Sequence, residues 1–490
     1  MAESIIRQTN RTLLLEEINP EKRNLLTLIG DVRGMDSLSD DKIREINESL
    51  LVRSFGEFLE KFDPTIYSFF NAATQSVVYT EEKPAGIPEN MLSAVHLNLH
   101  NDFLKMLMTL VETKRIRLFD RNSPLDFVHG GRLEDVTVAY ETYGTLNKAR
   151  DNAVYICHAL TGDAHAALWH EGDAHPGWWD VMIGPGKAID TNRWFVISSN
   201  LLGGCRGTTG PSDPDPATGE PYGLDFPLLD MHDFVTVHRA LMRALGVDHL
   251  HAAVGGSLGG MQVLDWSLTH PGDMDQAVVV ASSSRLTAQN IAFSAVGREA
   301  IMRDENFHDG RFAVEGTSPD VGLAVARMMA HITYTSEEGF EEKFARRPQH
   351  DDRRPGFGVD FAVESYLDHQ GAVFVNRFDA LSYLYLTRVM DYFDPFADPT
   401  AMDAVAGTGL KYLVMSFDSD WRFGTAHSRR IVRQLQSRGL PVSFREIRAP
   451  WGHDSFLLPI GPYLDTVRAF LEQPARPRPS IHRRRLGRHR

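Results

Sequence analysis

A serine set among glycines is the residue of this sequence best suited to covalent chemistry. Gly255-Gly256-Ser257-Leu258-Gly259 matches the pattern G-x-S-x-G. The apolar run 250–254 before it is typical of a buried strand, and residues 261–268 after it are compatible with a helix. A strand, a tight turn and a helix in this order predict a nucleophile elbow, in which Ser257 is held exposed. A phosphate-binding loop is disfavoured because the G-K-[ST] ending is missing.

A serine hydroxyl needs a base, and the sequence offers one in the order Ser, Asp, His that is typical of α/β-hydrolase folds. Asp418 and Asp420 follow one predicted strand, and His453 follows the next, just before the last predicted helix. In this arrangement Ser257 would attack, His453 would take and return the proton, and an aspartate would fix the imidazole tautomer. Spacing alone does not separate Asp418 from Asp420.

Acyl transfer also needs an oxyanion hole, which is usually made of two backbone N–H groups. One is expected from Leu258, the residue after the serine. The other is expected from the loop 158–161, which follows an early strand, and we assign it to Leu160.

The elements that would position these residues alternate between strand and helix from about residue 119. Such alternation predicts a parallel-rich sheet covered on both faces. The strand rhythm stops between about 285 and 405, where helical patterns occur instead, at 292–303, 321–333, 338–345, 361–367 and 380–392. We expect this stretch to be a helical lid inserted into an α/β-hydrolase domain that covers residues 118–473. A lid would limit the access of water to Ser257.

The two ends of the chain differ from this pattern. Residues 1–117 predict a small, mostly helical accessory module, with amphipathic patterns at 41–59 and 94–114 and a strand-like stretch at 67–79. No catalytic constellation is found there. The segment 474–490 is rich in proline and arginine and predicts a basic, disordered tail.

Composition excludes several classes of protein. The net charge of −14 argues against nucleic acid as the main partner, and no apolar run is long enough to span a membrane. Cys157 and Cys205 are the only cysteines, and the N-terminus has no signal-peptide pattern. We therefore expect a cytoplasmic protein without a disulfide framework. No metal site is predicted.

Long blocks of this sequence resemble the homoserine O-acetyltransferase family, from about residue 119 to 471. They are HALTGDAHAA, GWWDVMIGPGKAIDT, SSNLLGGCRGTTGPSDPDPATGEPYGLDFP, GGSLGGMQVLDWS, ARMMAHITY and WGHDSF. The resemblance implies the triad Ser257, Asp420 and His453. It also implies that Arg327 and Asp454 hold homoserine, and that Tyr334 lines the same pocket. Residues 421–425 depart from the family pattern, because the usual proline is missing.

The implied reaction transfers the acetyl group of acetyl-CoA to the hydroxyl of L-homoserine, on the route to methionine. It would proceed by ping-pong kinetics through an acyl-serine. Acetyl-CoA is a co-substrate, and no resident cofactor is expected. Homoserine is a zwitterion, so a guanidinium for its carboxylate and a carboxylate for its ammonium agree with the residue types at 327 and 454. Family members are commonly homodimers, so we expect dimerisation through the lid.

Three alternatives remain at this level. The donor could be succinyl-CoA, or the acceptor serine, on the same triad. An esterase or another hydrolase could use the same fold. A scaffold in which residues 1–117 do the binding is the most distant alternative, and the Ser-Asp-His set argues against it.

Overall fold

A central sheet of eight strands organises the protein. The computed structural model describes residues 67–71, 76–80, 110–173, 175–350 and 356–474. The strands of the central sheet are β1 (Lys114–Phe119), β2 (Val136–Tyr143), β3 (Ala153–Cys157), β4 (Phe195–Ser199), β5 (Leu250–Gly256), β6 (Met274–Val280), β7 (Lys411–Phe417) and β8 (Val442–Ile447). Their spatial order is β8-β7-β6-β5-β3-β4-β2-β1.

Most of this sheet is parallel, as predicted. Only β1 with β2 and β2 with β4 pair antiparallel. The sequences of β3, β5 and β6 are buried along their whole length, because both faces of the sheet are covered. The α/β-hydrolase prediction is confirmed. Carboxyl ends of parallel strands meet at one edge of the sheet, so the residues after β5, β7 and β8 come together there.

Ten α-helices lie in the described part of the chain. They are α1 (Met231–Ala244), α2 (Leu258–Thr269), α3 (Ala288–Met302), α4 (Phe312–Glu315), α5 (Asp320–Tyr334), α6 (Glu337–Lys343), α7 (Ala362–Val375), α8 (Ala380–Tyr392), α9 (Thr425–Ser437) and α10 (Gly461–Leu471). Short 3₁₀ helices span Gly223–Asp225, Pro271–Asp273, His308–Gly310, Pro399–Met402 and Gly452–Leu457. Two further strand pairs are Leu125–Asp126 with Arg132–Leu133 and Ile183–Gly184 with Ile189–Asp190.

The predicted lid is the helical segment between β6 and β7, which carries α3 to α8. Helix α7 is longer than the predicted 361–367 and runs through Gly371 to Val375. Glycine usually weakens a helix, but Gly371 lies where α7 packs against α5. A Cβ at Gly371 would lie 3.0 Å from the Cβ of Ala324. Close packing of two helices therefore outweighs the local propensity.

The chain divides into two compact units, Met1–Leu110 with Leu168–His175, and the remainder. In the first unit, strands Tyr67–Asn71 and Ser76–Thr80 form an antiparallel pair, within the stretch predicted to be strand-like. The predicted helix 41–59, residues 94–109 of the second helical pattern and residues 475–490 of the tail lie outside the described residues. The second unit begins its sheet at Lys114, inside the segment assigned by sequence to the accessory module.

Strand β1 was not predicted, and its first residue, Lys114, falls in the predicted helical pattern 94–114. Its sequence KRIRLF alternates charged and apolar residues only over 115–118, at the lower limit of length for a strand pattern. No helix among the described residues combines the length and the apolar character needed to cross a membrane.

Candidate active site

Ser257 lies on the sharp turn between β5 and α2. Its backbone is in a strained region, with φ 58° and ψ −124°. The turn is possible because glycines stand at close approaches of the backbone: a Cβ at Gly255 would collide with the backbone of Gly259, and a Cβ at Gly259 with the carbonyl of Cys157. At Gly260 a Cβ would lie 2.6 Å from the Cβ of Ser282. The predicted elbow is therefore present.

Three side chains from separate strand ends form a hydrogen-bonded chain at the elbow. His453 Nε2 lies 2.9 Å from Ser257 Oγ, and His453 Nδ1 lies 2.8 Å from Asp420 Oδ2. The second carboxylate oxygen of Asp420 accepts a hydrogen bond from the N–H of Phe423 at 2.8 Å. All three members are buried. In this geometry Asp420 accepts a hydrogen bond from His453 Nδ1–H, which leaves Nε2 free to accept the serine proton.

Asp418 is the other aspartate that spacing left open, and it has a different partner. Its Oδ1 accepts the N–H of Ala449 at 2.9 Å, so it ties the loop after β7 to the loop after β8. Ser419 hydrogen-bonds to the carbonyl of Ala449 and accepts the N–H of Gly452 at 2.9 Å. Of the two aspartates, the structure brings Asp420 to His453 and gives Asp418 a backbone partner.

The two backbone N–H groups proposed for the oxyanion hole are free of partners within the described residues, and their directions are fixed. In a planar peptide the C=O and the following N–H point in opposite directions. Ser257 O accepts from Gly260 N at 3.0 Å and from Ser282 Oγ at 2.7 Å, which orients the N–H of Leu258. Ala159 O accepts from Gly162 N at 3.0 Å and from the His158 ring at 2.7 Å, which orients the N–H of Leu160.

The lid contributes two of the three predicted substrate-binding residues, and the third, Asp454, follows His453 in the chain. Arg327 and Tyr334 both lie on α5, with the Arg327 guanidinium carbon 5.9 Å from the centre of the Tyr334 ring. That ring in turn lies 5.8 Å from the ring of His453. Arg327, Tyr334 and Asp454 line one cavity, so the structure brings the lid residues to the triad.

The charges in this cavity are poorly satisfied. Arg327 Nε is buried without a hydrogen-bond partner among the described residues, and no ion pair to Arg327 occurs there. Burial raises the pKa of Asp454, although electrostatic interactions with His453 and Arg327 oppose the rise. A cation and a carboxyl that share a cavity without contacting each other fit a ligand that carries both charges.

Sequence reasoning missed other residues of the site. Arg377, after α7, lines the same cavity and donates to the carbonyl of Thr161 at 3.0 Å. Trp178 also lines it and donates to the carbonyl of Asp163 at 3.0 Å. Arg422, two positions after Asp420, is buried and donates to Thr333 Oγ1 at 2.7 Å. For Arg422 a signal existed, because residues 421–425 depart from the family pattern.

The lid is fastened beside the histidine. Trp421 Nε1 donates to the carbonyl of Thr335 at 2.9 Å, and Ser336 hydrogen-bonds to the carbonyl of Pro450. Gly452 has φ 70°, and a Cβ there would lie 2.6 Å from the carbonyl oxygen of Tyr334. The loop that carries His453 and the end of α5 therefore pack as one surface.

Comparison with known proteins agrees with this architecture. A family model described as the alpha/beta hydrolase fold matches residues 152–459. A homoserine O-succinyltransferase of a Nocardioides species is 56% identical over 361 residues, which cover 74% of this chain and 98% of the relative. A homoserine O-acetyltransferase of Caulobacter vibrioides is 52% identical over 343 residues, which cover 69% of this chain and 90% of the relative.

Among solved structures, a homoserine O-acetyltransferase from Bacillus anthracis is similar, with a TM-score of 0.69 and 26% identity, covering 75% of this chain and all of that one. The order of the strands, the elbow, the lid and these identities lead to one conclusion. The chain belongs to the homoserine O-acetyltransferase family of acyltransferases with the α/β-hydrolase fold.

Proposed function

We propose that this protein transfers the acetyl group of acetyl-CoA to the side-chain hydroxyl of L-homoserine, and that Ser257 carries the acetyl group between the two. The observation that carries the proposal is a shared cavity. Arg327 and Asp454 line it beside Tyr334, whose ring lies 5.8 Å from that of His453. A zwitterionic amino acid held by Arg327 and Asp454 would place its side chain toward the serine.

The first half-reaction forms the acyl-enzyme. Ser257 Oγ attacks the thioester carbonyl while its proton moves to His453 Nε2, which lies 2.9 Å away. The negative charge that develops on the carbonyl oxygen would be stabilised by the N–H groups of Leu258 and Leu160. Collapse of the tetrahedral intermediate breaks the C–S bond, and the imidazolium returns its proton to the CoA thiolate. Asp420 stabilises the imidazolium throughout.

The second half-reaction uses the same groups in reverse. The homoserine hydroxyl gives its proton to His453 and attacks the acyl carbonyl on Ser257. The second tetrahedral intermediate collapses with cleavage of the bond to Ser257 Oγ, which regains the proton. Water could replace homoserine as the nucleophile. The lid segment at Tyr334, fastened to the histidine loop, supports a transferase because it restricts the space around the acyl-serine.

Succinyl-CoA is the second candidate donor, and two observations favour it. The Nocardioides relative at 56% identity is named a homoserine O-succinyltransferase. Arg422 is buried next to the triad, with its guanidinium carbon 5.3 Å from the Tyr334 ring, and it has no ion-pair partner in the described part of the chain. A buried cation favours a countercharge, which the free carboxylate of a succinyl group would supply.

The experiment measures CoA thiol release with acetyl-CoA or succinyl-CoA, each with and without L-homoserine or L-serine. Release that requires acetyl-CoA and homoserine together supports the proposal. A preference for succinyl-CoA would make succinyl-CoA the donor. Release of CoA without an acceptor identifies a hydrolase. Absence of release with every pair contradicts the proposal. Ser257→Ala should abolish release, whereas a scaffold would lose nothing.

Arg422→Met separates the two donors. If Arg422 holds a succinyl carboxylate, kcat/KM for succinyl-CoA should fall by about 30-fold or more, the loss expected for one charge-assisted hydrogen bond. The rate with acetyl-CoA should change much less. An equal loss for both donors would show that Arg422 supports the lid instead of the donor.

A place in methionine biosynthesis, a cytoplasmic location and a homodimer are part of the same proposal. Both cysteines are free, which suits a reducing compartment. Helices α3, α5 and α7 of the lid expose apolar side chains that a second copy could cover, namely Val296, Val321, Val325, Ile332 and Val373. Sedimentation of a Val321→Asp/Val325→Asp variant as a monomer would support a lid interface, and an unchanged oligomeric state would oppose it.

A further inference from the structure

Gln262, on the second turn of α2, is a fully buried polar side chain that the reaction described above does not use. Its Nε2 donates to the carbonyl of His158 at 3.0 Å and to the carbonyl of Leu258 at 3.2 Å. Its Oε1 lies 2.9 Å from His238 Nε2. One side chain thus contacts the backbone on both sides of the proposed oxyanion hole, in the early loop and at the start of the elbow helix.

The orientation of this amide is determined by its partners. Both contacts of the nitrogen are carbonyl oxygens, so that atom must be the donor. The oxygen then accepts a hydrogen bond from His238 Nε2–H. His238 Nδ1 is left to accept from the Tyr155 hydroxyl, 3.0 Å away, and Tyr155 lies 2.6 Å from Ser199 Oγ. Burial lowers the pKa of His238 to about 4, so the ring is neutral in this network.

The peptide that carries the N–H of Leu160 is held by further hydrogen bonds of the early loop. The ring of His158 accepts the N–H of Leu201 at 3.0 Å through Nε2 and therefore donates through Nδ1 to the carbonyl of Ala159. That carbonyl belongs to the peptide that carries the N–H of Leu160. Gln262 holds the preceding peptide through its carbonyl. The amide of Gln262 thus fixes where the Leu160 peptide sits relative to the elbow helix, and His158 fixes its direction.

We propose that Gln262 is a positioning residue for the oxyanion hole, which sets the separation of the N–H groups of Leu160 and Leu258 by bridging the two segments that carry them. The inference rests on the proposed function, in which these N–H groups stabilise both tetrahedral intermediates. Oxyanion stabilisation depends on donors placed to within tenths of an ångström, and a misplacement of about 1 Å costs about 100-fold in rate.

The test compares Gln262→Met with the wild-type protein. Methionine keeps the length and volume of the side chain but removes both donors and the acceptor. The rates of CoA release and of acyl transfer to homoserine should each fall by about 10- to 100-fold, because both pass through an oxyanion. KM for homoserine should stay within about twofold. The affinity of an alkyl boronic acid, which adds to Ser257 as a tetrahedral analogue, should fall by the same factor as the rates.

Gln276→Met is the matched control. Gln276 is also fully buried, and its Nε2 donates to a backbone carbonyl, that of Gln473, at 3.2 Å, away from the elbow. The rates of Gln276→Met should be unchanged. Its thermal stability should fall less than that of Gln262→Met, because Gln276 makes one hydrogen bond and its Oε1 has no partner among the described residues. If Gln262→Met does not fold, Gln262→Glu provides the second variant, because it retains the shape and the bond to His238 while its carboxylate repels the two carbonyls.

Two outcomes would overturn the inference: rates within about twofold of wild type in a folded Gln262 variant, or a loss confined to KM for homoserine. Hydrolysis of 4-nitrophenyl acetate separates this failure from that of the proposed function. It needs Ser257 and the oxyanion hole but neither CoA nor homoserine. A wild-type protein that hydrolyses the ester without acyl transfer would refute the proposed function, and the Gln262 variants would still be compared on the ester and on boronate affinity.

Discussion

The elbow and the lid are both parts of the site, but they differ in how completely their polar groups are satisfied. At the elbow, Ser257 O accepts from Gly260 N and Ser282 Oγ, and the amide of Gln262 has three partners. In the lid, Arg327 Nε and His331 Nε2 are buried without partners among the residues that the structure describes. Burial, with Arg327 beside it, lowers the pKa of His331 to about 3.

This contrast indicates a division of tasks. A completed hydrogen-bond network holds the groups that must be in place before any substrate arrives, and it leaves them no alternative partners. The lid keeps charge that only a ligand completes, which costs stability in the free protein. We therefore expect changes at the elbow to act on kcat and changes in the lid to act mainly on KM.

The largest expected effect is that of Asp420→Asn. Asparagine at this position would accept less well from His453 Nδ1 and would favour the wrong tautomer, so kcat should fall by about 10⁴-fold. Steady-state CoA release at saturating homoserine measures it. Circular dichroism should show an unchanged fold.

Asp418→Asn is the control for that loss. Its Oδ1 contacts the N–H of Ala449, and an asparagine carbonyl can accept the same bond. The rate should stay within about threefold of wild type. Equal losses in the two variants would place the carboxylate of the triad in doubt and would also remove the distinction between the elbow and its supporting loops.

A smaller effect is expected for Arg327→Met in the lid. Loss of the fork that would bind the homoserine carboxylate removes a charge-assisted interaction, so kcat/KM for homoserine should fall by about 30- to 100-fold, mostly through KM. The burst of CoA release from the first half-reaction should remain. Loss of the burst itself would show that the lid arginine acts on the acyl donor and would break the division of tasks.

The smallest effect is a pH dependence. Asp454 must be ionised to bind an ammonium group, and burial raises its pKa. KM for homoserine should therefore rise as the pH falls through this raised pKa, at a higher pH than for an ordinary aspartate. In Asp454→Asn, KM for homoserine should be high, and its rise at low pH should be absent. A wild-type limb that persists in the variant would assign the titration to another group.

Ionisation of Asp454 should favour homoserine binding but should lower the stability of the folded protein. A carboxyl whose pKa is higher in the folded than in the unfolded protein contributes stability below the unfolded pKa, and that contribution is lost as the pH rises through the folded value. Above the folded pKa, Asp454→Asn should therefore have a higher melting temperature than wild type, with no gain in acid. Such a result would show directly that the cavity retains charge at the expense of stability.

The predictions from sequence were most successful where the determinants are local. The elbow, the parallel strands and the ends of α5 and α8 follow from glycine placement, apolar runs and helical periodicity, each contained within a few neighbouring residues. Strand β1 was missed because charged and apolar residues alternate over only four positions of KRIRLF, at the lower limit of length for the period of a strand to be recognised. Helix α7 was predicted too short because Gly371 disfavours a helix locally, and its contact with Ala324 is not visible in the sequence.

What the sequence determined by itself is the strained turn at Ser257, since Gly255 and Gly259, whose close approach excludes a Cβ at Gly255, lie within one stretch of chain. Spacing left open which aspartate contacts His453, and the resemblance implied Asp420, which the structure places at His453. Only the tertiary structure decided that Arg377 and Arg422 reach the same region as Arg327, and that Gln262 bridges the early loop to α2. These contacts join positions far apart in the chain, and their existence depends on distances between side chains that pattern and spacing do not contain.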